Sequence, residues 1–162
     1  MQAFQIAPLT VTAFIIKKGE PCDQYLILRR CSSHFCGSWQ PVTGSIEKGE
    51  TAWEAALREI QEETQLQPDR FYAAEVVEIY YEVYRDAVVT VPVFVAFIET
   101  PQEVTISPAE HDAFLWLPYE EALSYLEFSE QRRVLTHIHE NFICRKPSEL
   151  LRLQHLQNVE TP

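Results

Sequence analysis

Basic residues are scarce in this chain. Lys and Arg number 13 against 24 Asp and Glu, a formal net charge of −11. So acidic a chain is repelled by DNA, RNA and anionic membrane surfaces, and neither a nucleic-acid polymer nor a membrane is expected as a partner. A small phosphorylated ligand survives that exclusion, because a divalent cation can bridge carboxylates to phosphates. No apolar run approaches the roughly 18 residues of a membrane span. No basic stretch precedes an apolar core near residue 1, so no secretory signal is expected. Glycine and proline are also few, 4 and 10 of 162, which excludes collagen-like and low-complexity chains. The four cysteines, at 22, 31, 36 and 144, match no short metal-binding repeat. Cys31, His34 and Cys36 lack the fourth ligand of a zinc site. Reduced thiols in a cytoplasmic protein are the plainer reading.

What is present suits one compact domain. Apolar residues make up 46% and aromatics 12% of 162 residues, enough to build a core without staples. Strands are expected over 5–16, 25–28, 39–43, 71–84, 88–98 and 113–117, where β-branched and aromatic residues gather between turn signals. Residues 88–98 read as a strand buried on both faces. Thr51 with Glu54 forms a capping box for a helix ended by Pro68. Pro118 suits the first position of a second helix, and Ser129 the cap of a third carrying Val134, Leu135, Ile138 and Phe142. Strands and helices mix without strict alternation, which implies a mixed sheet with helices on its faces. A single domain over 1–146 is expected, with 147–162 as a partly helical or frayed tail.

The chemistry concentrates in residues 44–66, GSIEKGETAWEAALREIQEETQL. At about 100° per residue, Glu59, Glu62 and Glu63 share one side of the helix. Trp53, Leu57 and Ile60 point away, so the helix is expected to show an acidic edge while its other side enters the core. Clustered carboxylates repel one another, and a hard divalent cation with oxygen ligands removes that cost. A solvated acidic face is the bland alternative.

The spacing is more specific than the glutamates alone. Gly44, five residues, Glu50, seven residues, then Arg58-Glu59-Ile60-x-Glu62-Glu63 with Leu66 after resembles the Nudix box of the Nudix hydrolases. The resemblance implies an α/β fold of the α+β type, an α/β/α sandwich around a mixed sheet. It also implies Mg²⁺- or Mn²⁺-dependent cleavage of nucleoside diphosphates linked to another group. Glu59, Glu62, Glu63 and the Gly44 carbonyl would serve the metal. Glu50 and Arg58 would pair to hold the loop to the helix, and Glu62 would be the general base, with Glu110 its competitor. One position departs: Gln65 stands where the family has a glycine, so a strained left-handed cap or another exit is expected there.

Outside the box, WQPVTGSIEKGE and the later AEHDAFLWL are similar to the Nudix subgroup that cleaves dihydroneopterin triphosphate or dATP. That similarity makes Glu110 a further metal ligand. The implied reaction splits a triphosphate into a monophosphate and pyrophosphate. A similarity to diadenosine tetraphosphate hydrolases competes with it, and a non-catalytic nucleotide sensor is the alternative from another class. From the residues themselves, Arg30 at a strand end suits a phosphate fork. His34 and Trp39 are candidates to pack on a base or pterin ring. The chain is expected to act as a monomer or homodimer on a small phosphorylated metabolite or nucleotide.

Overall fold

The computed structural model describes residues 7–32 and 34–153. Seven strands form one mixed sheet: β1 (Thr10–Lys17), β2 (Gln24–Arg30), β3 (Trp39–Gln40), β4 (Val42–Ser45), β5 (Arg70–Glu82), β6 (Ala87–Ile98) and β7 (His111–Leu117). Three helices cover it: α1 (Ala52–Thr64), α2 (Tyr119–Tyr125) and α3 (Ser129–Ile138). β1 runs parallel to β6, and every other pairing is antiparallel. β1 changes partner along its length. Residues 10–13 pair with β4 and residues 16–17 with β2, so the sheet splays and brings the loop after β4 beside α1.

The strand period of two sorts β1 cleanly. Val11, Ala13 and Ile15 join one apolar cluster with Ala55, Ala56 and Ile60 of α1. Phe14 and Ile16 join the other, with Val134, Leu135 and Ile138 of α3. The result is an α/β/α sandwich, as the box resemblance implied. The terminal segment 147–153 packs back: Leu153 N–H donates to the Phe71 carbonyl at 2.9 Å, and Leu151 lies against the α3-side cluster. The last nine residues of the expected tail lie outside the described residues.

Local differences from the sequence reading have physical reasons. β6 is buried on both faces only from Val93 onward; Val88 is open to solvent because the β5–β6 hairpin projects beyond the helices. Pro118 occupies the N-cap of α2 rather than its first helical position, and Phe128, not Ser129, caps α3. α3 runs on through a wide turn, His139–Ile143, which carries Phe142 into the core.

Thr51 caps α1 as expected: its Oγ1 accepts from Glu54 N–H, and Glu54 Oε2 accepts from Thr51 N–H at 2.8 Å. At the other end Gln65 takes the left-handed conformation, φ 63° and ψ 8°, with its N–H on the Gln61 carbonyl. A side chain in that region costs about 1–2 kcal/mol, part of which glycine returns through its looser unfolded chain. Gln65→Gly is therefore expected to raise stability by about 1 kcal/mol, read as a melting shift of about 2–4 °C. An unchanged or lowered melting temperature would show that Gln65 is not strained.

Candidate metal and phosphate site

The inward face of α1 is not where its apolar residues alone place it. The buried positions are Ala55, Ala56, Glu59, Ile60, Glu63 and Thr64. At about 100° per residue, Glu63 lies beside the middle of that arc and Glu59 between the middle and its Ala55 edge. These two carboxylates are buried, whereas Glu62 is exposed and Trp53 and Leu57 are only half-buried. The expected acidic edge facing away from the core is thus corrected: two glutamates face the sheet and one faces out. Ala55 and Ala56 are small enough to bring the helix close to β1 and β4.

Gly44 completes that approach. It lies on β4 opposite Val11, and a Cβ built on it would stand 1.9 Å from Glu59 Cδ. Only a residue without a side chain leaves Glu59 this position.

Arg58 gathers the loop and the helix. Its Nε and Nη2 donate to the two Glu50 oxygens at 2.9 and 3.0 Å, and Nη1 donates to Glu59 at 2.8 Å and to Glu62 at 3.1 Å. Nη2 also donates to the Ser45 carbonyl at 2.8 Å. Every N–H of the guanidinium is thereby used. Glu50 further accepts from Glu47 N–H at 3.0 Å, and these bonds hold its carboxyl below the ordinary range. Glu59 is pushed the other way, chiefly by burial and against the pull of Arg58.

Glu63 is the most enclosed carboxylate of the group. Burial pushes it up to about 7, opposed by a hydrogen bond from His111. His111 Nε2 lies 3.0 Å from Glu63 Oε2, and both side chains are almost fully buried. Glu63 Oε1 and His111 Nδ1 have no partner. Ligand atoms of Glu63, Glu110 and His111 lie within 4.8 Å of one another. The loop that brings Glu110 and His111 here is tied to the end of α1: Thr105 N–H donates to the Thr64 carbonyl and Ser107 N–H to the Glu63 carbonyl. His111 was not singled out in the sequence, although its neighbour Glu110 was; a histidine beside a candidate ligand is the available signal.

A divalent cation fits this donor set. The orphaned Glu63 Oε1 is a buried acceptor without a donor, and Glu59, Glu62 and Glu110 all press electrostatically on the same cluster. Hard oxygen ligands of this kind suit a small divalent ion.

Other sequence candidates are placed differently. Arg30 pairs in register with His111 beyond a bulge in β2, and its Nε is buried without a partner. Arg29 is engaged: Nε donates to Asp112 Oδ1 at 2.7 Å, and its guanidinium lies over the Trp39 ring. Trp39 is half-buried on the α3 side, its ring edge-on to Tyr125 at 5.5 Å. His34 is exposed and meets Tyr84 at the tip of the β5–β6 hairpin, 5.5 Å between centroids. The four cysteines are free thiols. His137 bonds the Ala74 carbonyl, and His139 bonds Tyr25 and stacks on Tyr119, so the two serve separate contacts.

Two expectations follow from this geometry. Because Glu63 is raised, its proton stabilises the metal-free fold below its ordinary value near 4.5, and that contribution fades as pH rises through about 7. A cation competes for the same carboxylate, so Mg²⁺ should raise the melting temperature more at pH 8 than at pH 5.5. Equal shifts at both pH values would contradict this. Gly44→Ala should displace Glu59 and abolish most of the Mg²⁺-induced shift, checked by the same melts; a full shift would mean the carboxylate position is unimportant.

The NUDIX domain family profile matches residues 7–138. The mouse bis(5′-nucleosyl)-tetraphosphatase [asymmetrical] is 34% identical over 137 residues, 83% of this chain and 90% of that protein. Among solved structures, a Caenorhabditis elegans Ap4A hydrolase binary complex superposes with a TM-score of 0.72 at 22% identity, covering 83% of this chain and 96% of that one. The Escherichia coli dihydroneopterin triphosphate pyrophosphohydrolase gives 0.61 at 24% identity, covering 77% and 91%. With the loop–helix geometry of residues 44–66 and a profile match spanning most of its length, this chain belongs to the Nudix hydrolase family.

Proposed function

We propose that the protein is a Mg²⁺-dependent, cytoplasmic hydrolase that cuts a phosphoanhydride bond in a nucleoside or nucleoside-like polyphosphate, Mn²⁺ substituting for Mg²⁺. The observation that carries this reading is the cluster of Glu63, Glu110 and His111 at the end of α1, with Glu63 Oε1 lacking a donor and Glu59 pressing electrostatically on the same carboxyl. No helix among the described residues is long and apolar enough to cross a membrane, and four free thiols suit a reducing compartment.

Each residue has a task in this reading. Glu59, Glu63, Glu110, the Gly44 carbonyl and Glu62 would hold the cation, which when bound would neutralise charge on the phosphate oxygens. Arg58 and Glu50 are positioning residues: their paired bonds fix the loop after β4 against α1. Glu62, exposed at the rim and held by one Arg58 bond, accepts the proton of the attacking water. Arg30, whose Nε has no partner in the protein, would donate to a phosphate oxygen. Water adds to phosphorus, the bridging P–O bond breaks, and a monophosphate leaves with pyrophosphate when the substrate is a triphosphate. The run WQPVTGSIEKGE supports a triphosphate substrate. The mouse relative's activity supports the second reading, asymmetric cleavage of a dinucleoside tetraphosphate.

The test is release of phosphate and pyrophosphate with Mg²⁺ from dihydroneopterin triphosphate, the common nucleoside triphosphates and diadenosine tetraphosphate. Pyrophosphate from triphosphates supports the first reading, and turnover of the dinucleotide alone supports the second. Glu63→Gln is expected to lower turnover by orders of magnitude while the fold persists, and Glu110→Gln to raise the Mg²⁺ concentration needed. Near-normal rates in Glu63→Gln, or nucleotide binding with no turnover of any substrate, would remove the catalytic reading in favour of a sensor.

A further inference from the structure

Glu63 and His111 are joined by more than one contact. Ser107 N–H donates to the Glu63 carbonyl at 3.1 Å, and the Ser107 carbonyl accepts from His111 N–H at 2.9 Å. His111 Nε2 then returns to Glu63 Oε2 at 3.0 Å. These bonds close a circuit that runs from the Glu63 backbone, through Ser107 and His111, to the Glu63 side chain. His111 is held from its other side as well. It opens β7 in register with Arg30, where β2 carries a bulge, and Cys31 N–H donates to the neighbouring Glu110 carbonyl at 2.8 Å. Both side chains of the pair are almost fully enclosed, so close packing leaves the ring little freedom to turn.

The circuit makes the two Glu63 oxygens unequal. Oε2 faces the imidazole, whereas Oε1 has no hydrogen-bond partner. The two ring nitrogens are unequal too. Nδ1 is buried without a partner, so a proton placed there would be an N–H buried without an acceptor. It would also set the Nε2 lone pair against an oxygen of the ionised carboxylate, acceptor facing acceptor. A proton on Nε2 removes both costs. Nε2–H then donates to Oε2, and Oε1 is the oxygen left for a cation.

His111 is near enough to be considered a ligand itself, since ligand atoms of Glu63, Glu110 and His111 lie within 4.8 Å of one another. Two features favour a different role. Nε2 is turned to the carboxylate, and a metal on that nitrogen would displace its proton and break the bond to Oε2. A small hard cation also takes oxygen in preference to nitrogen. A ring that orients a ligating carboxylate without touching the metal is the mirror of the common arrangement in which a carboxylate orients a ligating ring.

We propose that His111 is a positioning residue: by donating from Nε2 to Glu63 Oε2 it presents Glu63 Oε1 to the cation and keeps that carboxylate a one-oxygen ligand. This deepens the function proposed above and rests on its cation site.

The experiment measures the melting shift induced by Mg²⁺ alone, and by Mn²⁺ alone, in wild type, His111→Gln and His111→Asn, with turnover followed against Mg²⁺ concentration alongside. A glutamine amide nitrogen reaches the place of Nε2, whereas an asparagine amide ends near that of Nδ1. His111→Asn is expected to raise the Mg²⁺ concentration needed for half of the shift by about 10- to 100-fold, and His111→Gln to restore most of that loss. Mn²⁺ should lose affinity to the same degree as Mg²⁺. Equal losses in the two variants would reduce His111 to packing and overturn the proposal, as would a metal response unchanged in both. A loss much larger for Mn²⁺, the ion that accepts nitrogen more readily, would make His111 a ligand and overturn it as well. An imidazole nitrogen NMR spectrum of the wild type covers the case in which His111→Asn does not fold. Nε2 should carry the proton and keep it when Mg²⁺ is added; a proton on Nδ1, or one lost from Nε2 on adding Mg²⁺, would overturn the assignment. Metal binding weakened in His111→Asn and restored in His111→Gln supports the positioning role even if no substrate turns over and the hydrolase reading fails. Turnover with a metal response unchanged in every variant overturns the positioning role alone.

Discussion

Two carboxylates sit within the buried face of α1, and much of the local architecture answers their cost. A buried charge without compensation is expensive. Arg58 supplies the nearest countercharge, yet it reaches only Glu59 and Glu62 while two of its bonds secure Glu50. Glu63 relies on His111. His111 in turn depends on the loop from residue 103 to residue 110, pinned to the end of α1 through the Thr64 and Glu63 carbonyls. Gly44 contributes by omission, since any side chain would occupy the space of the Glu59 carboxylate. Backbone pairing of β1 with β4 sets that distance. The compensation is incomplete, because Glu63 Oε1 is left without a donor. A buried carboxyl left one bond short of satisfaction is one that a cation would complete.

The sequence was most legible where function is written in contiguous spacing. The capping box, the Gln65 exit and the sandwich could all be read from residues 44–66 and the strand runs. The orientation of α1 could not. Of the expected stripe Trp53, Ala56, Leu57, Ile60 and Thr64, the small Ala56 together with Ile60 and Thr64 is buried, but Trp53 and Leu57 are only half-buried and the helix turns to bury Ala55, Glu59 and Glu63 as well. The small Ala55 and Ala56 allow a close approach to β4, and close approach is what places Glu59 against Gly44. Hydrophobicity counted residue by residue weights large side chains; the packing here is decided by small ones. His111 was hidden for a different reason. Its partner Glu63 lies 48 residues earlier, so no local pattern connects them.

The β5 strand shows the same limit more sharply. Its alternation of Val77, Ile79, Tyr81 and Val83 is a clear strand signal, but those side chains face solvent and Glu78 faces in. Two features permit the inversion. The register slips between Ala73 and Val77, where four steps along β5 match two along β6 and Glu75 takes a positive φ of 54°. Beyond that bulge α3 clamps the strand through polar bonds, Glu130 to Ile79 N–H and Arg133 to the Val77 carbonyl. An apolar stripe turned outward and a carboxylate turned inward contradict local patterning, and such contradictions concentrate where function outweighs stability.

The sheet therefore separates two kinds of work. The α1 face carries the carboxylate cluster of Glu59 and Glu63; the α3 face carries the buried Glu78 and Gln131. Adjacent residues on one strand serve different layers: Val11 packs under α1, whereas Thr12 supports Glu78 across the sheet. Strand alternation makes that division physical. A substitution on one face leaves the other face's side chains in place, provided the strand keeps its register. The carboxylate cluster can then stay constant while the far face changes. The box spacing, confined to residues 44–66, therefore identifies the family of this chain and is independent of what the α3 face carries.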